Sequence, residues 1–124
     1  MAIEPGSPLV LDPKALQRLR AGLGKQAGRM LPGLIDRFCQ DGERLLGQAR
    51  RALEQAQADD LRRASHSLKS TSATFGAMAL SAVARQLEHS ARDGRLEGVG
   101  EQITQAEAEF ARARIALEAV RHEP

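Results

Sequence analysis

The stretch LRRASHSLKSTSATF, residues 61–75, carries the pattern around which the rest of the chain is organised. Apolar or small side chains recur there at alternating three- and four-residue steps, at Leu61, Ala64, Leu68, Thr71 and Phe75. Such spacing places side chains on one face of an α-helix. At about 100° per residue, the mean direction of this face points away from His66. The pattern therefore predicts a helix with a buried apolar face and with His66 exposed near its middle.

The predicted surroundings of His66 suit a nucleophile. Arg62, Lys69 and Ala73 share its side of the helix, and Asp59, Arg63 and Ser70 lie at its flanks, so its neighbours are mostly basic or small. Imidazole attacks through its neutral form, and nearby cations disfavour a further positive charge on the ring. Lys69 lies one turn further on, where its ammonium can balance a dianionic group attached to the ring. The alternative is a solvent-exposed histidine without a chemical role on a charged helix face.

The composition favours a single helical domain. Among the 124 residues, tryptophan and tyrosine are absent and phenylalanine occurs three times, whereas alanine, leucine, arginine, glutamate and glutamine are abundant. These abundant residues form helices readily, and support for a sheet is small. The 18 basic and 16 acidic side chains give a net charge of +2 and are interspersed along the chain. No block of like charge therefore indicates binding to nucleic acid or to a membrane.

Cysteine usage and hydropathy indicate a reducing compartment. Cys39 is the only cysteine, which excludes an internal disulfide framework. The sequence has no long apolar run, and its N-terminus lacks the basic start and hydrophobic centre of a signal peptide. We therefore expect a cytoplasmic location, either as a free protein or as part of a membrane-anchored one.

Turn and capping signals separate a lead-in from one domain. Residues 1–10 contain two prolines and a glycine, and we expect them to form a flexible lead-in to a single domain over residues 11–124. Asp12 and Pro13 are typical of the start of a helix. They predict a short helix that ends near Arg20.

Four longer amphipathic segments follow. A helix is expected over about residues 26–57, with a bend or break near Gly42, and residues 58–60 are expected to turn into the histidine helix. Further helices are expected over about residues 79–92 and from Val99 onward. In the first of these, the side chains expected to be mostly exposed are Arg85, Gln86, Glu88 and His89. Short turns between such helices predict an all-α, antiparallel four-helix bundle with an additional short N-terminal helix. A coiled-coil oligomer is a rival reading of the spacing, but glycines divide the apolar stripe.

Other catalytic or binding signatures are absent from the sequence. It contains no glycine-rich phosphate loop, no ATP-binding or kinase motif, and no Cys-x-x-Cys or His-x-x-x-His metal spacing. A Ser-His-Asp arrangement is unsupported, since the two serines beside His66 point to different helix faces. We therefore expect no metal site and no intrinsic cofactor.

Residues 66–77, HSLKSTSATFGA, resemble the signature of histidine phosphotransfer (HPt) domains, typically His-x-Leu-Lys-Gly-Ser-Ser-Ala-x-x-Gly-Ala. The resemblance spans roughly residues 30–120. Other residues that fit the family are Leu34, Ile35, Phe38, Asp41, Leu87, Glu88, Ala91, Arg92 and Gly94. Ser70 departs from the pattern, because the family usually has glycine at this position, one helical turn after the histidine. Thr74 replaces a common asparagine.

The resemblance implies a phosphorelay intermediate rather than an autonomous enzyme. By that resemblance, His66 accepts a phosphoryl group, through Nε2, from an aspartate of a response-regulator receiver domain and passes it to another receiver. The receiver supplies Mg²⁺. Lys69 and Ser70 are then expected to stabilise the phosphoryl group, and the chain is expected to be monomeric. The expected docking residues are Arg62, Arg63, Ala73, Arg85 and Gln86.

Two alternatives to phosphotransfer remain open at this point. A receiver-binding scaffold would dock receivers without accepting phosphate, and the serine at position 70 leaves that possibility open. A helical adaptor would recognise partners through one bundle face and carry an incidental surface histidine. The resemblance is equally compatible with a free protein and with the cytoplasmic C-terminal domain of a membrane-bound hybrid sensor histidine kinase.

Overall fold

Helices account for most of the chain that the structure describes. The structure is a computed structural model that describes residues 10–123, so residues 1–9 of the predicted lead-in lie outside the described residues. The helices are α1 (Pro13–Leu23), α2 (Ala27–Glu54), α3 (Ala58–Thr74), α4 (Met78–Arg92) and α5 (Val99–Arg121), with a short 3-10 turn at Gly24–Gln26. Residues 10–123 contain no strand. None of their helices is both long and apolar enough to cross a membrane.

Helices α2 to α5 form the antiparallel bundle that the apolar spacing predicts. α2 and α4 each pack against both α3 and α5, and short turns reverse the chain between successive helices. The side chains that the repeat assigns to the core of α5 are all buried: Val99, Ile103, Ala106, Phe110, Ala113, Leu117 and Val120. The fold prediction is confirmed, including the additional helix α1.

α1 is joined to the turn that follows the histidine helix. The Asp12 carboxylate caps α1 by accepting a hydrogen bond from the Lys14 amide at 3.0 Å. The Asp12 amide donates to the Gly76 carbonyl, 2.8 Å away. Gly76 has a φ of +79°, and a Cβ there would lie 2.8 Å from the Asp12 carbonyl oxygen, so this contact requires glycine. The contact holds the start of α1 against the α3–α4 turn.

Gly42 serves close packing rather than a bend. α2 runs without a break through this position, so the predicted break is wrong. Gly42 is buried, and a Cβ there would collide with the ring of Phe110 on α5. The Phe110 ring is itself packed against Phe38, with ring centroids 5.8 Å apart. The missing side chain therefore lets an aromatic ring approach the α2 backbone.

We expect Gly42→Ala to destabilise the fold by about 1–3 kcal/mol, because the added methyl overpacks a filled core. Gly33→Ala is the matched control on the same helix. Position 33 has open space around it, so alanine should stabilise α2 there by up to about 1 kcal/mol. Urea denaturation of the two variants measures both effects. Equal free energies of unfolding for the two variants would contradict the packing argument.

The turn into α3 lies earlier than predicted. α2 ends at Glu54 and α3 begins at Ala58, so the expected turn at residues 58–60 is wrong. Ala56 adopts a left-handed φ of 54° in the observed turn. Glycine or asparagine usually occupies this position at a helix end. An alanine there gives no stop signal in the sequence, which explains the error.

Candidate functional site

His66 is exposed on α3, as predicted. Its side chain retains 58% of its accessible surface, whereas Leu61, Leu68 and Phe75 are buried on the opposite face. Thr71, predicted to share the buried face, is only partly buried. Two serines, Ser65 and Ser72, contribute to the buried face of α3 instead.

A buried carboxylate on α4 contacts His66. Glu88 is only 4% exposed, and its Oε2 lies 2.6 Å from His66 Nδ1. Its other oxygen, Oε1, accepts a hydrogen bond from Lys69 Nζ at 2.6 Å. One carboxylate therefore joins the candidate phosphoacceptor to the lysine of the sequence motif.

The expectation that Glu88 is mostly exposed is wrong. On α4 it borders the buried stripe that contains Ala84, Leu87 and Ala91, and α3 packs over it. The hydrogen bonds that Lys69 and His66 of α3 make to this carboxylate explain why it is tolerated there. In the sequence, the feature that could have indicated a special role for Glu88 is the resemblance to HPt domains, in which Leu87 and Glu88 fit the family pattern.

The Glu88 carboxyl is held in its ionised form. The hydrogen bond from the Lys69 ammonium is the largest influence and lowers the pKa of Glu88. Burial acts in the opposite direction, and the contact with His66 lowers the pKa further. Arg92, one turn along α4, lies 3.6 Å from Oε2. The net result is a pKa below the usual range of glutamate, so this side chain is an anion at neutral pH.

The ionised state of Glu88 determines which ring nitrogen of His66 carries the proton and which one carries the lone pair. An ionised carboxylate can only accept hydrogen bonds, so the hydrogen between Glu88 and His66 belongs to Nδ1. In a neutral imidazole with a proton on Nδ1, the lone pair lies on Nε2. The nitrogen engaged by Glu88 is therefore Nδ1, and the lone pair of the neutral ring is left on Nε2.

Hydrogen bonding between helices fixes α4 against α3 next to this cluster. The Ser81 hydroxyl, on the first turns of α4, donates to the backbone carbonyl of Lys69 at 2.9 Å. Ser81 is itself buried. The backbone that presents Lys69 is thus tied to the helix that presents Glu88, and the site rests on two packed helices.

The predicted docking residues on α3 share its exposed side, but two of them form ion pairs. Arg62 and Arg63 each contact the carboxylate of Asp59, at 2.9 Å in both cases. Ser70 is exposed and Ala73 is partly buried. The cationic surroundings predicted for His66 are thus partly neutralised by Asp59, in addition to Glu88.

The two docking candidates on α4 are not members of the hydrogen-bonded cluster of His66, Lys69 and Glu88. Arg85 and Gln86 both line a shallow groove toward α5, together with His89, Ser90 and Gln102. Helical spacing places Arg85 on the same side of α4 as Glu88, three residues away, but turns Gln86 to the other side. The structure therefore brings His66, Lys69 and Glu88 together, and it places Arg85 and Gln86 in a groove toward α5.

This helical bundle, with an exposed histidine whose ring is held by a buried carboxylate, is that of a histidine phosphotransfer domain. Residues 33–122 match the Hpt domain family. The chain belongs to this family, and its role is phosphotransfer in a phosphorelay.

The structure is also similar to that of a particular solved protein. This is the crystal structure of histidine-containing phosphotransfer protein B (HptB) from Pseudomonas aeruginosa PAO1, with a TM-score of 0.83 and 35% sequence identity. The match covers 93% of this chain and 96% of that chain. No curated protein matches the sequence significantly.

Proposed function

We propose that His66 accepts a phosphoryl group from the aspartyl phosphate of one receiver domain and passes it to an aspartate of another. The observation that carries this proposal is the contact between Glu88 Oε2 and His66 Nδ1 at 2.6 Å. It fixes the ring and leaves Nε2 free on an exposed surface. A histidine with no chemical role would not require a buried, ionised carboxylate behind it.

The chemical step is a displacement at phosphorus. The Nε2 lone pair of neutral His66 forms the N–P bond while the P–O bond to the donor aspartate breaks and that carboxylate leaves. The ring gains positive character during attack, and the Glu88 carboxylate, which accepts from Nδ1–H, stabilises it. Transfer to the second receiver is the reverse displacement, with the acceptor carboxylate attacking phosphorus and Nε2 leaving.

The negative charge of the transferred phosphoryl group is further stabilised by this chain and by the receiver. The ammonium of Lys69 has three donors, of which one is used by Glu88, so others are free for the phosphoryl oxygens. The receiver contributes Mg²⁺, and the partner's fixed groups complete the in-line geometry. Docking involves the exposed α3 surface at Arg62, Arg63 and Ala73, with Arg85 on α4. Gln86, which lines the same groove as Arg85, belongs to this docking surface as well, and we propose that the chain acts as a monomer.

Incubation with a panel of phosphorylated receiver domains in Mg²⁺ tests this function. Intact-mass analysis should show the gain of one phosphoryl group from at least one receiver, and the group should be labile in acid. If receivers bind this chain but never phosphorylate it, the receiver-binding scaffold is the better account. If they do not bind, the helical adaptor is.

We further propose that the Ser70 hydroxyl donates a hydrogen bond to the phosphoryl group. Ser70 is exposed one turn after His66, and its hydroxyl has no partner among the described side chains. Loss of one such bond in Ser70→Ala should shorten the lifetime of purified phosphohistidine about two- to tenfold, since a hydrogen bond contributes about 0.5–1.5 kcal/mol. Hydrolysis at neutral pH, followed by mass spectrometry, measures this lifetime. An unchanged lifetime would remove Ser70 from the site.

A further inference from the structure

A polar groove between α2 and α3 lies beside the His66 surface. It has a volume of about 500 Å³. Its walls include Arg44, Gln48 and Arg51 on α2 and Asp60, Arg63 and Ser67 on α3. Arg63 and Ser67 flank His66 along the helix, three residues before it and one after. The groove therefore continues the exposed surface of the proposed site toward α2.

The α2 wall presents an ordered row of polar groups. Positions 44, 48, 51 and 55 are spaced so that their side chains lie along one helix face. With a rise of about 1.5 Å per residue, this row extends over about 16 Å. Arginines alternate along it with the carboxamides of Gln48 and Gln55, which both line the groove.

The groove walls carry more positive than negative charge. Three arginines face a single acidic side chain, Asp60, among the lining residues. Arg63 pairs with Asp59 at 2.9 Å, and Arg44 approaches Asp41 only to 3.5 Å. Arg51 forms no ion pair within residues 10–123. The α2 wall therefore offers guanidinium groups that are weakly paired or unpaired.

We propose that this groove binds an acidic, extended segment of the receiver partner and so sets which receivers dock productively at His66. Arg44 and Arg51 lie two helical turns apart, about 10 Å along the helix axis, a separation that suits carboxylates spaced along an extended segment. Carboxamides donate and accept hydrogen bonds, which suits the alternating groups of a peptide backbone. A groove of about 16 Å matches about five extended residues. This inference rests on the proposed phosphotransfer at His66.

The test compares an Arg44→Gln/Arg51→Gln variant with a matched control, Arg95→Gln/Arg112→Gln, that removes the same charge elsewhere. The substrate is a phosphorylated receiver that phosphorylates the wild-type chain. We expect the groove variant to need about ten times more receiver for half of the maximal rate of phosphoryl acceptance, with little change in that maximal rate. We also expect this half-saturating concentration to depend less on salt than in wild type. The control should match wild type.

Two further measurements keep the test decisive. Phosphoramidate, a small phosphoryl donor that needs no docking, should label wild type and both variants to the same extent at His66. Failure of every phosphorylated receiver to label wild type would instead refute the proposed function. In an NMR titration, a synthetic acidic hexapeptide should perturb the Gln48 signals of the wild-type chain but not those of the groove variant, which retains Gln48. The groove proposal is overturned if both double variants have the same half-saturating receiver concentration, or if inorganic pyrophosphate binds the groove and the hexapeptide does not.

Discussion

Replacement of His66 by glutamine is expected to abolish phosphoryl acceptance, lowering its rate by at least about 10³-fold, because the attacking nitrogen is removed. Glutamine keeps a polar side chain at an exposed position, so the bundle should remain folded. Intact-mass analysis after incubation with a phosphorylated receiver measures the effect. The matched control is His89→Gln, which removes an exposed histidine from α4 and should leave phosphorylation unchanged.

The same variant separates the phosphotransfer account from the scaffold account. Receiver binding should persist in His66→Gln, because docking uses the surrounding surface rather than the ring alone. Phosphate that appears on His66→Gln at the wild-type rate would show that another residue is the acceptor. Circular dichroism of the variant must match wild type, so that loss of labelling is not mistaken for unfolding.

Glu88→Ala is expected to slow phosphoryl acceptance about 10- to 100-fold, the cost typical of losing the group that orients a functional histidine. Glu88 acts through the His66 ring and is a positioning residue. Glu88→Gln should recover part of the rate, because a carboxamide oxygen can still accept from Nδ1–H. Glu97→Gln, which changes an exposed acid outside the helices, is the control.

A purely structural role for Glu88 would give a different spectroscopic result. Nitrogen-15 NMR of the imidazole reports which ring nitrogen carries the proton. We expect the neutral ring to be protonated at Nδ1 in the wild type and to lose that preference in Glu88→Ala. An unchanged tautomer together with a reduced rate would contradict the positioning argument.

The lowered pKa of Glu88 also predicts a pH dependence of stability. Since the folded state binds the proton less tightly than the unfolded chain, ionised Glu88 stabilises the fold at pH values above the usual glutamate value of about 4.3. This contribution is lost as the pH falls through the lowered pKa. The difference in free energy of unfolding between wild type and Glu88→Gln should therefore shrink below about pH 4. A difference that stays constant from pH 7 to pH 3 would show that the charge of Glu88 is not what stabilises the fold.

The bundle could be predicted from the sequence because the apolar spacing and the capping residues that define each helix lie within that helix or at its ends. The repeat from Val99 to Val120 assigns every buried apolar position of α5, and Asp12 with Pro13 correctly marks the start of α1. The exposure of His66 follows from the same periodicity. Such a pattern shows only which face of a single helix is buried.

Features that depend on two helices could not be predicted in this way. Glu88 is acidic and lies at the margin of an apolar stripe, so its burial follows only from the hydrogen-bond donors of Lys69 and His66 that α3 places against it. Considered within α2 alone, Gly42 only weakens the helix. Its packing role can be recognised only from the position of the Phe110 ring on α5. The helix end at Ala56 cannot be recognised from the residue type, because the left-handed φ of this alanine is imposed by the surrounding fold.

The central claim is that Nε2 of His66 is the phosphoryl acceptor because Glu88 holds Nδ1. Phosphorus-31 and nitrogen-15 NMR of the chain, phosphorylated by a receiver and labelled at histidine, test it most directly. The account predicts one phosphohistidine, at position 66, with phosphorus bonded to Nε2 and a proton retained on Nδ1. Phosphorus bonded to Nδ1, or to any residue other than His66, would contradict it.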